Sequence, residues 1–253
     1  MSAVHHLKLP SGLSFHYLGP PLKEGPLPTL FYLTLAADDS LIVDPYNQPV
    51  VPIAHLPMRI FSVNLPAHGP GLSPLEALSV WAQDVTVLVD FIDKMAESLK
   101  HMLSEGMLDP ERLAIAGLSR GAFFATHIAA KVPQVKTVLG FAPLIHLSYT
   151  KEFLHLQQDP LVHSLNLNLL IDKLIGKTFR FYIGNRDTRV GTELCFRFIE
   201  ALAEANFQSK FRSPPVEMII TPSIGFQGHG TSQDSFVNGA AWVGKELGVI
   251  HGA

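Results

Sequence analysis

The sequence predicts an α/β protein with a mostly parallel central sheet flanked by helices on both faces. Three observations carry that prediction. Downstream of Leu113, short apolar runs alternate with helical patterns, as βαβ units do. Thr29–Leu35 reads Thr-Leu-Phe-Tyr-Leu-Thr-Leu, a continuous apolar run of the kind buried on both faces of a sheet. The chain is 47% hydrophobic and only 16% charged, against a usual charged share of about 25%. A sheet covered on both sides leaves few positions for solvated charge, and the composition fits it.

Twelve of the 19 prolines fall within the first 75 residues. Proline breaks helices, so this part is expected to hold short strands, at Leu13–Leu18, Thr29–Leu35 and Met58–Asn64. The pattern then changes. Ser73-Pro74-Leu75-Glu76 has the form of a capping box with proline at the first helical position. Behind it Leu78, Trp81, Val85, Leu88, Ile92, Met95, Leu99 and Met102 recur at three- and four-residue steps. That spacing predicts one long amphipathic helix ending near Gly106. Asp109–Arg112 reads as a turn and Leu113–Ala116 as a short buried strand.

Helix Ala122–Lys131 and strand Thr137–Phe141 follow. Strand Phe179–Ile183, helix Thr192–Ala205, strand Val216–Thr221 and helix Ser235–Leu247 complete the series. Between two of these strands, Leu144–Lys177 is longer than a crossover needs, so part of it is a candidate small lid over the sheet edge. The chain has no repeat, low-complexity tract or linker, and residues 1–253 are expected to form a single domain.

Composition excludes several function classes. Nineteen basic against 22 acidic residues leave a net charge of −3, and no basic block marks a nucleic-acid footprint. No window approaches the apolar length of a membrane span. Met1–Pro10 lacks the basic region and apolar run of a signal peptide, so a cytoplasmic location is the default expectation. One cysteine, Cys195, forms neither an internal disulfide nor a cysteine metal cluster; it reads as a small buried hydrophobe. His146, His155 and His163 stand nine and eight residues apart, which does not match an i, i+4 metal pair. No cofactor and no metal are expected.

The sharpest local feature is Gly117-Leu118-Ser119-Arg120-Gly121, a Gly-x-Ser-x-Gly pattern between an apolar strand and a helix. A nucleophile on a tight strand-to-helix turn sits in a strained backbone, and flanking glycines relieve the clashes. Its oxygen then stands at a helix N-terminus, where N–H groups and the dipole stabilise a developing oxyanion. The short motif alone arises by chance in about one chain in ten of this length, so the flanking strand and helix carry the weight.

A serine needs a base, and the base needs an orienting acid. Of the acids from Glu152 to Glu217, only Asp187 follows directly from an apolar strand. Beyond it stand two histidines, His229 in the glycine-flanked loop Gly225–Gly230 and His251 near the end of the chain. Serine, then aspartate, then histidine is the chain order used by the nucleophile-elbow fold.

Across roughly residues 25–250 the chain resembles the α/β-hydrolase superfamily. The matching pieces are Gly117–Gly121, the acid turn Gly184–Val190, Gly228-His229-Gly230 and the segment Asn64–Gly71. The outline is most similar to the dienelactone-hydrolase and prolyl-oligopeptidase-like branches, without room for the propeller of the true oligopeptidases. The resemblance implies Ser119 as nucleophile, His229 as general base and then acid, and Asp187 as its orienting partner. It implies an oxyanion hole from the backbone N–H of Arg120 and one after the Thr29–Leu35 strand, from Leu35 or Ala36. Many esterases carry His-Gly or His-Gly-Gly at that point; this chain has Thr34-Leu35-Ala36-Ala37-Asp38.

His68 is expected to brace its loop, and Trp81 to lie in the core. Arg120, Arg186 and Arg189 stand beside the site positions, where they read either as ordinary ion-pair residues or as contacts for an anionic substrate. The function expected is hydrolysis of a small-molecule acyl ester through an acyl-enzyme. A thioesterase or small peptidase with the same triad, and a non-catalytic binding protein on the same fold, are the competing readings.

Overall fold

The computed structural model describes residues 3–69 and 71–250. Its frame is one eight-stranded sheet. The strands are β1 (His5–Lys8), β2 (Ser14–Leu18), β3 (Leu27–Leu33), β4 (Arg59–Val63), β5 (Leu108–Leu118), β6 (Thr137–Phe141), β7 (Thr178–Gly184) and β8 (Val216–Thr221). Their spatial order is β1-β2-β4-β3-β5-β6-β7-β8. Pairing is parallel from β4 through β8, whereas β2 runs antiparallel to both β1 and β4. The mostly parallel sheet expected from the alternation is present, with an antiparallel edge that the proline-rich start had hidden.

Eight α-helices lie among the described residues: α1 (Ala37–Ile42), α2 (Ala77–Gln83), α3 (Thr86–Ser104), α4 (Arg120–Lys131), α5 (Pro160–Ser164), α6 (Ile171–Leu174), α7 (Thr192–Gln208) and α8 (Gln233–Glu246). Alternate strand residues divide between two cores, as the two-residue period of a strand requires. Phe31, Phe61, Ile115, Val138 and Phe181 face one layer, with α2, α3, α4 and α7. Leu30, Ile60, Ala114, Leu139 and Tyr182 face the other, where Leu41 of α1 and Phe236, Ala240 and Val243 of α8 cover them.

The single long helix expected from Ser73 to Gly106 is two helices. The Asp84 carboxylate accepts from Thr86 N at 3.0 Å and from Thr86 Oγ at 2.5 Å, and its backbone is extended. This local bonding ends α2 and restarts the chain as α3. All eight apolar positions that marked the stripe are buried nonetheless, because both helices lie on the same sheet face. The capping box is also replaced. Ser73–Glu76 closes a turn through Glu76 N–H to Ser73 O at 3.1 Å, and the Pro74 carbonyl accepts from Arg120 Nη1 at 2.8 Å. Asp109–Arg112 belongs to β5 as a bulge, with Leu27 opposite Leu108 but Thr29 opposite Leu113.

Leu144–Lys177 forms short helical turns around α5 and α6. Leu147, Phe153, Leu167 and Leu174 from this segment are buried in the same core as α4 and α7, while Leu154 and Leu169 are exposed. The segment therefore packs down beside the sheet; Leu144 and Thr150 line a recess with Ser119, and the Glu152 charge acts on Arg120. Among the described residues no helix is long and apolar enough to cross a membrane.

Candidate active site

Ser119 sits between β5 and α4 with φ 54° and ψ −112°. A non-glycine residue at this positive φ is strained, and its surroundings hold it there. Ser119 N–H donates to Phe141 O at 2.7 Å, while Ser119 O accepts from Ala122 N at 3.1 Å. The flanking glycines are required by close approach. A Cβ on Gly121 would stand 1.9 Å from Leu33 O, and one on Gly117 would stand 2.2 Å from the Gly121 carbonyl carbon. The two glycines read from the motif let helix α4 touch strands β3 and β5 backbone to backbone.

His229 reaches Ser119 from the loop after β8. Its Nε2 lies 2.8 Å from Ser119 Oγ, and its Nδ1 lies 2.7 Å from Asp187 Oδ2. Asp187 has a fully buried side chain, whereas His229 keeps partial access to solvent. The other carboxylate oxygen, Oδ1, accepts from Arg189 N at 2.9 Å and Val190 N at 3.0 Å. Thr192 Oγ1 accepts from Asp187 N at 2.9 Å and donates to Gly184 O at 2.6 Å. The acid turn and the histidine loop are strapped together: Thr188 N–H donates to Gln227 O at 2.9 Å and Ser223 N–H to Asn185 Oδ1 at 3.0 Å. Three side chains far apart in sequence thus meet with hydrogen-bond geometry. His251, the other histidine considered, lies outside the described residues.

Of the two N–H groups expected after β3, that of Ala36 is already engaged. It donates to Asp39 Oδ2 at 3.3 Å where α1 begins. Among the described residues nothing accepts from Leu35 N, and the residue lines a cavity of about 240 Å³ together with Thr34, Tyr46, Leu75, Ser119 and His229. Arg120 N belongs to the first turn of α4, where backbone N–H groups have no intrahelical acceptor.

His68 braces its loop as expected. Its Nδ1 lies 2.8 Å from Pro66 O and its Nε2 lies 3.2 Å from Arg120 Nη1. Burial holds its pKa down at about 4, so the ring is neutral, donating from Nδ1 and accepting at Nε2. Trp81 is fully buried, and its indole N–H donates to the same Pro66 carbonyl at 2.8 Å. Cys195 is buried, which pushes its thiol pKa up.

Arg120 and Arg189 line a second, smaller recess beside Ser119. Arg189 binds Glu152 through both terminal nitrogens, at 3.1 and 3.0 Å. Burial raises the Glu152 pKa more than any single contact lowers it, but the hydrogen bonds and charge of Arg189, a backbone hydrogen bond and the charge of Lys151 together hold the carboxyl below its ordinary value. Glu152 is a site neighbour that sequence reading missed, since nothing local links it to a residue 37 positions away. Arg186 donates its backbone N–H to Ser223 Oγ at 2.6 Å. His146 lies 2.9 Å from Asn168 Nδ2 through its Nε2. Among the described residues no group of three His, Cys, Asp or Glu side chains is placed to hold a metal.

No family model matches the chain, and no curated protein matches it either. Solved structures do. The TT1662 protein of Thermus thermophilus superposes with a TM-score of 0.70 at 18% identity, over 97% of this chain and 98% of its own. A puromycin-hydrolyzing peptidase of Mycobacterium tuberculosis gives 0.68 at 16% identity, over 97% of this chain and 40% of its own. The acylaminoacyl peptidase of Pyrococcus horikoshii gives 0.64 at 14% identity, over 97% and 41%. The chain spans well under half the length of these two peptidases. These superpositions cover nearly the whole chain, and together with its eight-stranded, mostly parallel sheet they give it the α/β-hydrolase fold.

Proposed function

We propose that the protein is a serine hydrolase that cleaves a carboxylic ester through an acyl-enzyme. The observation that supports it best is the continuous contact Asp187–His229–Ser119, at 2.7 and 2.8 Å, on a strained turn at a helix N-terminus. Asp187 Oδ2 accepts from His229 Nδ1–H, which leaves Nε2 as the acceptor facing Ser119 Oγ–H. As Oγ attacks the acyl carbon, its proton passes to Nε2. The oxyanion forms beside the Arg120 and Leu35 N–H groups, each such donor being worth about 10²–10³ in rate. The imidazolium then returns the proton to the leaving alkoxide, and the acyl-enzyme remains. Water, deprotonated by the same Nε2, attacks the acyl carbon and releases the acid and Ser119.

A second reading, hydrolysis of a peptide or other amide, is favoured by the peptidases among the structural neighbours. The same triad serves either leaving group, and matched nitrophenyl esters, acyl thioesters and aminopeptide amides separate them. A fluorophosphonate probe should label the wild-type protein at Ser119 and not Ser119→Ala. A folded protein that resists the probe and hydrolyses none of the three substrate types is a binding protein, and the proposal fails.

A further inference from the structure

Arg120 contributes its backbone to the steps above, but its side chain has no part in them. Nη1 donates to Pro74 O at 2.8 Å and to His68 Nε2 at 3.2 Å, and the guanidinium carbon lies 5.8 Å from the centre of the Trp81 ring. None of these partners is an anion, because His68 is neutral. Among the described residues nothing accepts from Nε or Nη2, and neither atom is sealed from solvent without a partner. These two nitrogens lie on one edge of the guanidinium, where their parallel N–H groups match a carboxylate bidentately.

The nearest carboxylate, Glu152, is hydrogen-bonded by the neighbouring cation and reaches Arg120 only through its charge. Arg189 holds Glu152 with both terminal nitrogens, so one carboxylate serves two guanidiniums. The recess between them, about 60 Å³, opens on Ser119 and His229 and is walled by Leu78, Leu144 and Val190 as well. A desolvated cation between apolar walls is unfavourable until an anion joins it. Burial, and then the charge of Arg189, pull the Arg120 pKa down to about 10 even though the charge of Glu152 raises it, so the shared carboxylate does not offset the imbalance. A recess this small takes a terminal group and not a chain.

We propose that the substrate carries an ionised carboxylate, bound in this recess by Arg120 Nε and Nη2, with Arg189 as a second positive wall. The inference rests on the hydrolase reading and narrows it to anionic acyl compounds. The carboxylate can belong to the acyl part or to the leaving group. Two matched pairs distinguish these: the 4-nitrophenyl monoester of glutaric acid against 4-nitrophenyl pentanoate, and the butyryl ester of 4-hydroxybenzoate against that of its methyl ester.

In one pair kcat/KM should be at least about tenfold higher for the carboxylate, the scale of one charge-assisted contact. In Arg120→Met that ratio should fall to near one, and Arg120→Lys should keep part of it. A purely structural loss would slow both members alike and leave the ratio unmoved. Should Arg120→Met not fold, Arg189→Met reads the same ratio, now lowered by the unpaired Glu152. Where neither pair turns over, glutarate should slow fluorophosphonate labelling of Ser119 while pentanediol should not. Ratios at or below one in both pairs, or labelling indifferent to glutarate, with Ser119 still labelled, overturn the carboxylate site and leave the hydrolase reading standing. Absence of labelling removes both.

Discussion

Asp187→Asn is the most informative single change, because the surrounding hydrogen bonds dictate how the new amide must sit. Two backbone donors, Arg189 N and Val190 N, point at Oδ1 from 2.9 and 3.0 Å. An NH₂ group placed there would oppose both donors, so the amide oxygen takes that position. The amide nitrogen then occupies the place of Oδ2, 2.7 Å from His229 Nδ1. It is a donor, so Nδ1 must become the acceptor and the ring proton moves to Nε2. Nε2–H now faces Ser119 Oγ and cannot take its proton. The loss expected is about 10⁴ in turnover, as for other triads locked in the wrong tautomer. Stability changes little by comparison, since the shape and the two backbone hydrogen bonds are kept. Fluorophosphonate labelling rate and ester hydrolysis measure the first effect, and urea unfolding measures the second. A variant within tenfold of wild-type activity would show that Asp187 does not set the histidine tautomer, and the proposed mechanism would be wrong.

Other outcomes follow from the same geometry. Gly121→Ala places a Cβ 1.9 Å from Leu33 O; neither backbone can yield cheaply, and the loss should be about 3 kcal/mol or more by denaturant unfolding. Arg59 is fully buried and donates to the carbonyls of Pro20, Pro21, Gly25 and Met107 at 2.7–2.9 Å. Arg59→Met strands these acceptors and should cost at least about 3 kcal/mol, read as a lowered urea midpoint; an unchanged midpoint would mean that water replaces the guanidinium. Burial holds His68 and His127 at about 4, whereas in the unfolded chain they protonate at about 6.5. The unfolded state therefore binds more protons between these values, and stability falls as pH drops through that window, by up to about 3 kcal/mol per ring at the acid limit. His127→Gln should flatten the decline in pH-resolved unfolding; a slope identical to wild type would mean that His127 is not held neutral by the fold.

Legibility in the sequence followed the range of the force involved. Strands β6 and β8 and helix α4 lie within two residues of their expected bounds, because local apolar pattern and glycine placement decide them. The break at Asp84 was missed because the apolar stripe continues through it; only the carboxylate's bond to Thr86 separates α2 from α3. Strand β1, with the polar sequence His-His-Leu-Lys, has no apolar alternation strong enough to announce it, and it forms by pairing with β2. Ala36 and Leu35 are indistinguishable as donors in the sequence, and only the folded chain places the Asp39 carboxylate on Ala36 N.

By itself the sequence determined the kind of sheet, the elbow and the chain order of serine, acid and histidine, since turn sterics and periodicity act on neighbouring residues. Only the tertiary structure decided which backbone N–H remains available among the described residues, and that Glu152 pairs with Arg189 while no described carboxylate hydrogen-bonds Arg120. Those outcomes depend on which groups meet across 37 to 110 positions of chain. Burial at the meeting point then sets what an unmet hydrogen bond or charge costs, and no local stretch of sequence carries that information.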